Sequence, residues 1–494
     1  MPSQFEPAGQ RCLVCGGAVR PLLTVPHLRL AGQCQFVACQ ACQTIFDAAR
    51  LLDEHYIGSN TAYTPSDIKF YVEYGAGIEH SALLVTLLQH ALAPALAAGT
   101  RPRFLDVGTA FGFAVSIAAE CGWDAQGLEP SDFGQAGAQL LEINIRSGYL
   151  AEGAFEPETF DCVLISDVIE HVGQPGALVA AALKLLKPAG VLLLTTPNGA
   201  VITQGLESDI TDVLSPGYHL TIFSPAGITR VLADHQAQDV RCFFQGGTSG
   251  QKGLFVLAAR APGVLPGELP WPAIRAEAAA LTERYLQQLA ARKERQNQPD
   301  MIYRGALFRL LEIALLRGDH PTSYRYQQRL AQLDGPRAWP PEAFTRLAGL
   351  GFAALVQEVP AYAGLFHYYS GVLQSEHLGD RAAAAREFGI ARRLFQIEKQ
   401  TQIFPRTGWP ERAGYQEAVA QLNSGQAAAA LSTFQALLEA PQEIPAELWE
   451  PLYAHRAAAQ WRAGRPGPAV LSAGQWLRRR LARLAGRWIR PAAS

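Results

Sequence analysis

A strong charge of either sign is missing from this chain of 494 residues. Its 42 lysines and arginines are almost balanced by 44 aspartates and glutamates, which gives a formal net charge of −2. Without a global positive field, we expect no nucleic acid among its partners. Long hydrophobic runs are missing too, because stretches such as Gly190–Leu194 are far too short to span a bilayer.

The first residues also lack the features of a secretory signal. Met1–Glu6 contain neither the basic nor the apolar segment that such signals share, so we expect a cytoplasmic protein. With 49% hydrophobic and 17% charged residues, the chain can build sizeable cores. Its length favours about three domains.

Cysteine is scarce, with eight in the chain, but four of them form a pattern. Cys12 and Cys15 make one C-x-x-C pair, and Cys39 and Cys42 make another after 23 intervening residues. Two such pairs suit tetrahedral thiolate zinc, because each clamps two corners on a tight turn. Since protein ligands would fill all four positions, we expect a structural zinc ion. A redox or disulfide role is the alternative, and Cys34 has no assigned role.

The rest of the chain is organised around one glycine-containing stretch. The apolar run Phe104–Val107 predicts a buried strand, and Phe113–Cys121 predicts the helix that follows it. Between them, Gly108 and Gly112, with Ala110 in the middle, form a turn whose glycines let the backbone approach a ligand closely. Strand, turn and helix N-terminus together predict a nucleotide-binding unit. The spacing is a poor match to the G-x-G-x-x-G of dinucleotide folds, and a tight turn without a ligand is the alternative.

An acid ends the next predicted strand, Trp123–Glu129. Glu129 lies 23 residues beyond Asp106. A carboxylate at that strand end can accept both ribose hydroxyls of a nucleoside, which favours an adenosine ligand. A solvated strand-end acid is the other interpretation.

The stretch from Leu105 to Gly112 resembles motif I of class I S-adenosylmethionine (SAM) methyltransferases, with Ala110 in place of the middle glycine. The next motifs occur in the order and spacing of the same families: D-V-I-E-H-V at 167–172, L-K-P-x-G at 186–190, L-L-L-T-T-P-N at 192–198 and H-L-x-x-F-S-P at 219–225. This series resembles methyltransferases of ubiquinone biosynthesis and of glycan methylation. The cysteine pattern resembles the zinc ribbon that precedes the methyltransferase domain in bacterial enzymes, many of which act on sugars.

The resemblance implies an α/β Rossmann-like core with a seven-stranded, mostly parallel sheet. It implies SAM as the cofactor. The residues implied to bind SAM are Asp106, Gly108, Ala110 and Gly112 along its methionine half, Glu129 at its ribose, and Asp167.

Methyl transfer from SAM requires alignment of the acceptor and exclusion of water. For a hydroxyl or an acidic C–H acceptor a general base helps, and histidine suits neutral pH. His219, His171 and Tyr218 are therefore the candidate catalytic residues, although either histidine could instead only shape the pocket. We expect base-assisted O- or C-methylation of a sugar or glycan precursor. The alternatives are O-methylation of a quinone or phenolic acceptor, and a catalytically weak scaffold.

After a proline-rich linker the composition shifts to Ala, Leu, Arg and Gln, which predicts an all-helical region. Segments that start at Gly379 and Gly425 place small and aromatic residues at similar spacing, and Gly318 and Gly464 start poorer copies. They resemble tetratricopeptide (TPR) helix pairs. Such repeats bind a protein partner or self-associate, while a purely structural appendage is the alternative.

The chain ends in a basic amphipathic stretch, residues 476–490, with Leu and Trp among six arginines. It could lie on anionic lipid at the inner face of the membrane, or form a last repeat helix with a solvated basic face. The predicted organisation is 1–50 zinc ribbon, 51–100 linker and lead-in helix, 101–260 methyltransferase domain, 261–272 linker and 273–494 helical domain.

Overall fold

The computed structural model describes residues 11–26, 32–48, 63–93, 99–151, 153–203, 211–244, 252–335, 339–401 and 408–489, without the side chains of 211, 212, 478, 479 and 481–489. The chain divides into two compact units. Unit one contains Met1–Thr64 and Gly77–Tyr285, and unit two contains Pro65–Ala76 and Leu286–Ser494. The five segments predicted from the sequence stay predictions.

Unit one is built on a seven-stranded sheet in the order β10-β11-β8-β7-β4-β5-β6. Strands β4 to β8 pair in parallel, whereas β11 is antiparallel to both β8 and β10. The predicted seven-stranded, mostly parallel sheet is therefore confirmed. The strands are β4 (Arg103–Val107), β5 (Asp124–Glu129), β6 (Ile145–Ser147), β7 (Phe160–Ser166), β8 (Leu186–Pro197), β10 (Asp239–Phe244) and β11 (Gly253–Ala259).

Helices cover the sheet because its central strands are buried and apolar. They are α2 (Ile78–Leu92), α3 (Phe113–Glu120), α4 (Asp132–Leu141), α5 (Pro175–Leu185) and α8 (Pro225–Asp234). The short helices α6 (Ala200–Thr203) and α7 (Thr211–Leu214) also belong to unit one. A 3₁₀ turn, Ile169–His171, follows β7.

The L-K-P-x-G motif lies at the start of a strand. Helix α5 ends at Leu185, and strand β8 begins at Leu186. Leu186 pairs with Phe160, and the register then shifts so that Cys162 pairs with Val191. Because Pro188 cannot donate a ladder hydrogen bond, it falls within this irregular part of the strand.

A second, four-stranded sheet in unit one has the order β1-β2-β3-β9. Its strands β1 (Val19–Pro26), β2 (Gln33–Cys39) and β3 (Ile45–Asp47) carry the cysteine pairs at their ends. The fourth strand, β9 (Thr221–Ile222), comes from the H-L-x-x-F-S-P motif and pairs with β3. The amino-terminal strands therefore share a sheet with a segment from the far end of the methyltransferase motifs.

Among its described residues, unit two contains helices and no strands. Its helices are α1 (Pro65–Tyr74), α10 (Met301–Leu316), α11 (His320–Asp334), α12 (Pro341–Ala348), α13 (Phe352–Glu358), α14 (Ala363–Glu376), α15 (Arg381–Gln400), α16 (Trp409–Asn423), α17 (Ala427–Glu439), α18 (Trp449–Arg462) and α19 (Pro466–Ile489). The long helix α9 (Trp271–Arg295) contains the boundary between the units. Among the described residues, no helix combines the length and apolarity needed to cross a membrane.

Helix α1 precedes the methyltransferase motifs in the chain, yet it belongs to unit two. Its buried Glu73 accepts hydrogen bonds from Lys69 at 2.7 Å and from the backbone N–H of Ala361 at 2.9 Å. Gly305 of α10 faces the Val72 carbonyl so closely that a Cβ would overlap it. The first helix of unit two is thus fixed by residues far along the chain.

The predicted repeat starts coincide with helix starts. Gly379 has a φ of 73°, and the Asp380 side chain caps helix α15 by accepting from Ala383 N at 2.8 Å. Phe388 and Phe434, which occupy equivalent places in their segments, are fully buried. These helix pairs agree with the repeat pattern, while membership in the TPR class stays a prediction.

Candidate active site

The glycine-containing loop lies at the switch point of the core sheet. From β4 the chain continues to one side with β5 and β6, and it returns to the other side with β7. Ligands of open α/β sheets bind outside the carboxyl end of the strand at such a point. The loop after β4 is therefore where the sheet topology favours a cofactor.

Three residues give this loop its course: Gly108 (φ 71°), Ala110 (φ 51°) and Gly112 (φ 88°) all adopt left-handed backbone. A side chain at Gly108 would overlap Val168, and a Cβ at Gly112 would lie 2.6 Å from the Cδ1 atom of Ile143. Both outer positions therefore require glycine. Ala110 adopts the same backbone region, so the loop keeps its course although the middle glycine of the motif is replaced.

The carboxylate of Glu129 faces this loop. One oxygen accepts a hydrogen bond from Ala110 N, and the other accepts from Ser131 N, both at 3.0 Å. Each oxygen keeps lone pairs that can accept ribose hydroxyls. Helix α4 approaches closely because Gly134 has no side chain, since a Cβ there would lie 2.5 Å from the Glu129 Cγ.

Asp106 is buried at the end of β4. Its carboxylate accepts a hydrogen bond from the Thr109 hydroxyl at 2.6 Å. Burial, with a smaller contribution from the negative charge of Glu129, raises the pKa of Asp106 to about 7, although the Thr109 bond opposes the shift. Near neutral pH this carboxyl group is poised between its charged and neutral forms.

Asp167 follows β7 at the same edge of the sheet. Its φ of 52° is unusual for a residue with a side chain, and its backbone N–H donates to Thr195 O at 3.0 Å. The Thr195 hydroxyl donates to the Asp167 carboxylate at 3.3 Å. His80 of helix α2 places its Nε2 atom 3.9 Å from the same carboxylate and 3.4 Å from the Ser166 hydroxyl. The predicted cofactor residue Asp167 thus belongs to a polar cluster at the ends of β7 and β8.

The two candidate histidines lie together. The rings of His171 and His219 meet edge to face with centroids 4.9 Å apart. The His171 Nδ1 atom bonds to Tyr218 O, and the His219 Nδ1 atom bonds to Val213 O, each at 2.8 Å. Because carbonyl oxygens only accept, both Nδ1 atoms carry hydrogen and both Nε2 atoms are left as acceptors.

Burial lowers the pKa of both histidines. The charge of His171 adds to the shift of His219, and the Val213 carbonyl opposes it, which leaves the His219 pKa at about 4. Both rings are therefore neutral near pH 7, as a proton acceptor must be.

Glu170 lies beside this pair and is buried. Its Oε2 atom accepts from the Thr196 hydroxyl at 3.0 Å, while its Oε1 atom has no hydrogen-bond partner and lies 4.0 Å from His171 Nε2. Burial, together with the charge of Asp167, raises the Glu170 pKa well above its ordinary value. Ligand atoms of Glu170, His171 and His219 lie within 4.8 Å of one another, so this trio could hold a proton or a metal cation.

The four patterned cysteines also converge. Their sulfur atoms all lie within 4.8 Å of one another, with Cys12 and Cys42 at 3.6 Å and Cys15 and Cys39 at 3.4 Å. All four are free thiols. Tetrahedral zinc at a Zn–S distance of about 2.3 Å separates its sulfur ligands by roughly 3.8 Å, so these residues fit the ion with small adjustments.

The chemistry of the cluster also fits a cation. Backbone N–H groups of Val14, Ala41 and Cys42 point at the Cys12 and Cys39 sulfurs at 3.4 Å. The thiol of Cys12 donates to Cys42 and lowers the Cys42 pKa to about 4, whereas the Cys12 pKa is raised. Cys34 lies apart from this cluster, in the ribbon core.

The predicted residues His171, His219, Asp106 and Glu129 lie at this edge of the sheet, and their roles stay predictions; the sequence did not indicate several residues beside them. Thr109 and Gly134 could have been suspected, since the first follows Asp106 by three residues and the second opens the helix after Glu129. No local sequence feature indicates His80 or Thr195. Thr195 reaches the site because β8 pairs with β7, and His80 reaches it from helix α2. Tyr218 contributes its backbone carbonyl to His171, and its predicted catalytic role stays untested.

Residues 80–242 match the family model described as a methyltransferase domain. This range contains the glycine loop, Glu129, the Asp167 cluster and both histidines. The chain carries a class I SAM-dependent methyltransferase domain. The predicted motif series is thereby confirmed at the level of the domain.

Relatives with this domain include ubiquinone biosynthesis O-methyltransferases. That of Rhodopseudomonas palustris is 34% identical over 103 residues, which are 19% of this chain and 40% of the relative. That of Burkholderia lata is 35% identical over 103 residues, which are 19% of this chain and 44% of the relative. The chain thus spans less than half the length of these curated relatives.

Solved structures similar to this chain have low identity. Phosphoethanolamine N-methyltransferase 2 of Haemonchus contortus, in complex with SAM, is 16% identical, with a TM-score of 0.34 and coverage of 44% of this chain and 61% of that one. A SAM-dependent methyltransferase of Archaeoglobus fulgidus is 16% identical, with a TM-score of 0.29 and coverage of 38% and 97%.

Proposed function

We propose that this protein transfers a methyl group from SAM to a hydroxyl group of a small molecule. The observation that carries the proposal is one edge of the core sheet, where a glycine loop, a strand-end acid and two neutral, buried imidazoles occur together. SAM, when bound, supplies a methyl group already activated by its sulfonium. The protein has to bind SAM, orient the acceptor toward that methyl group and remove the proton of the acceptor hydroxyl.

The cofactor is held by the loop after β4 in this proposal. Glu129 accepts the ribose hydroxyls, and its carboxylate is already oriented by Ala110 N and Ser131 N. Asp106 faces the positively charged methionine half, which favours its ionised form. Asp167 completes the cofactor side from the end of β7.

His219 is the general base in this proposal. Its Nδ1 atom is committed to the Val213 carbonyl, so its Nε2 atom would receive the proton of the acceptor hydroxyl as the methyl group passes from sulfur to that oxygen, with the C–S bond broken and a neutral thioether left behind. His171 and Glu170 line the same place, and the buried environment keeps water away from the reacting groups.

The acceptor class is the open part of the proposal. The relatives named as ubiquinone biosynthesis O-methyltransferases favour a phenolic or quinol hydroxyl. The expected sugar or glycan acceptor receives no support from the comparisons. We therefore put the phenolic acceptor first and keep the sugar hydroxyl as the alternative.

A direct test measures SAM binding by calorimetry and transfer of radiolabelled methyl to catechols, quinols and nucleotide sugars. The proposal expects SAM binding together with transfer to at least one hydroxyl acceptor. SAM binding without transfer, even to fractionated cell extract, would favour the alternative of a catalytically weak scaffold that acts through its helices.

The unpartnered Oε1 atom of Glu170 supports a second candidate arrangement, in which a divalent cation at Glu170, His171 and His219 lowers the pKa of the acceptor hydroxyl. Manganese binding followed by electron paramagnetic resonance distinguishes the two arrangements. A Mn²⁺ signal that disappears in Glu170→Gln favours the cation, and no binding favours His219 as an unaided base.

A further inference from the structure

The cysteine ribbon, residues 11–26 and 32–48, is physically joined to the part of the chain that carries His219. We call residues 213–224 the acceptor segment, because they include His219 and the carbonyl that fixes it. Ile45 pairs with Ile222 and Phe46 pairs with Thr221, so the acceptor segment provides a strand of the ribbon sheet. The Asp47 N–H donates to Leu220 O at 3.3 Å, which extends this pairing by one residue.

A side-chain bond joins the two at the cysteine cluster itself. The buried hydroxyl of Ser224 donates to the carbonyl oxygen of Cys42, one of the four clustered cysteines. The same hydroxyl accepts from Gly227 N at 3.0 Å and so caps helix α8. Packing is equally close, since a side chain at Gly227 would overlap the hydroxyl of Thr44. The backbone that turns around the sulfurs therefore also holds the end of the acceptor segment.

The other side of the acceptor segment reaches the histidines. Leu220 N donates to Glu170 O at 2.7 Å, so the residue after His219 is tied to the residue before His171. Val213 accepts the Nδ1 hydrogen of His219, and its side chain packs in one apolar cluster with Phe36 and Ile45 of the ribbon. Removal of the ribbon contacts would therefore free both the chain and the carbonyl that orient the His219 ring.

We propose that the cysteine ribbon is a working part of the acceptor side of the active site, with Ser224 as the positioning residue that connects the cysteine cluster to His219. Zinc bound by the four cysteines fixes the turn at Cys42 and hence the carbonyl that Ser224 needs. Loss of zinc disorders the acceptor segment and misplaces His219. The loop after β4 shares none of these contacts, so SAM binding persists.

This inference rests on the proposed function only for its activity readout. Its primary test is hydrogen exchange of the full-length protein with zinc bound and after zinc removal, with zinc content measured in the same samples. Amides of residues 217–223 should exchange roughly fivefold faster or more after zinc removal, because their opening no longer breaks the ribbon bonds. Amides of residues 104–112 should be unchanged.

The Ser224 variants test the connection without touching a cysteine. Ser224→Ala should speed exchange of residues 217–223 and lower turnover, and it should move the low-pH limb of turnover upward as His219 regains a more ordinary pKa. The SAM dissociation constant should stay within twofold. Ser224→Thr keeps the hydroxyl and should restore all three properties.

Asp380→Ala is the matched control, because it removes the capping side chain of helix α15 in unit two. It should leave exchange of residues 217–223 and the pH profile unchanged. If zinc removal or Ser224→Ala leaves that exchange unchanged, the proposed connection is wrong. If exchange responds but wild-type protein methylates no acceptor, the connection stands and the proposed function is the part that fails.

Discussion

The cofactor side and the acceptor side of the candidate active site are built in different ways. On the cofactor side, backbone groups define the site: glycines at Gly108 and Gly112 set the loop, and two N–H groups orient Glu129. On the acceptor side, side chains define it, because His171 and His219 are held ring against ring by carbonyl oxygens. The glycine loop and Glu129 lie close together in sequence, whereas the two histidines come from distant parts of unit one.

This difference has a functional consequence. A site defined by backbone groups tolerates few substitutions in its own loop, but it depends on few contacts with other segments. It should therefore keep its ligand when substitutions are made elsewhere in unit one. A side-chain site depends on each element that packs behind it. Substitutions should therefore separate SAM affinity from turnover, and the predictions below run from the largest expected effect to the smallest.

His219→Ala should give the largest separation. Loss of a positioned general base lowers turnover by about 100- to 10,000-fold, while SAM affinity stays within twofold because the loop after β4 is untouched. Steady-state kinetics and calorimetry measure the two quantities. His90→Ala, which removes a histidine paired with Glu277, is the control and should keep full turnover. Unchanged turnover in His219→Ala would reject the base assignment.

Gly137→Ala should affect the cofactor side instead. A methyl group there would overlap the Phe111 carbonyl, so helix α4 must move away from the glycine loop. We expect a loss of about 1–3 kcal/mol in the free energy of unfolding and a weaker SAM affinity. Gly267→Ala is the matched control, because no atom lies within 4 Å of a Cβ at that position. Denaturant unfolding measures the loss of stability, and calorimetry measures the SAM affinity. An unchanged SAM affinity would show that the packing of helix α4 against the loop after β4 does not control SAM binding.

Asp106 gives the cofactor side a pH dependence. Its pKa of about 7 means that the unliganded carboxyl group is partly protonated at neutral pH, and the positive charge of SAM favours the ionised form. SAM affinity should therefore rise as the pH increases through 7, by up to about tenfold between pH 6 and pH 8. Asp106→Asn should bind more weakly and lose this dependence. Calorimetry at several pH values tests it, and a flat wild-type profile would show that Asp106 does not face the ligand charge.

Deletion of residues 476–494 should have the smallest effect on either side. All residues of the candidate site belong to unit one, so turnover and SAM affinity should stay within twofold. The same variant tests the proposed membrane contact, since the deletion removes the basic stretch. Full-length protein should float with anionic liposomes and the truncated protein should not. Equal behaviour would end the membrane proposal.

Local pattern explains what could be predicted from the sequence. The strand, glycine loop and helix around Gly108 depend on neighbours within a few residues, and the structure has them where the sequence predicts them. The seven-stranded sheet was implied by the resemblance to class I methyltransferases and is present. Neither the place of His80 beside Asp167 nor the pairing of β9 with β3 could be predicted, because both depend on contacts between distant segments.

The same limit explains the segment 51–100, which the sequence presents as a linker and a lead-in helix. Part of it, α1, belongs to unit two. Its neighbours in sequence do not indicate this, because Val72 and Glu73 of α1 meet residues of unit two that come much later in the chain. The partner of Glu73 at Ala361, for example, is 288 residues away.

That separation has a consequence for synthesis of the protein. A ribosome adding about 5–20 residues per second needs roughly 15 to 60 seconds to reach Ala361 after α1 has emerged. During this interval α1 has no packing partner from the later part of unit two. The methyltransferase domain, which lies between α1 and Ala361 in the chain, can already fold. Unit two therefore folds last, although its first helix is synthesised early. Proteins truncated from the carboxyl end before Ala361 should leave α1 without its packing partners, with its apolar surface exposed and prone to aggregation.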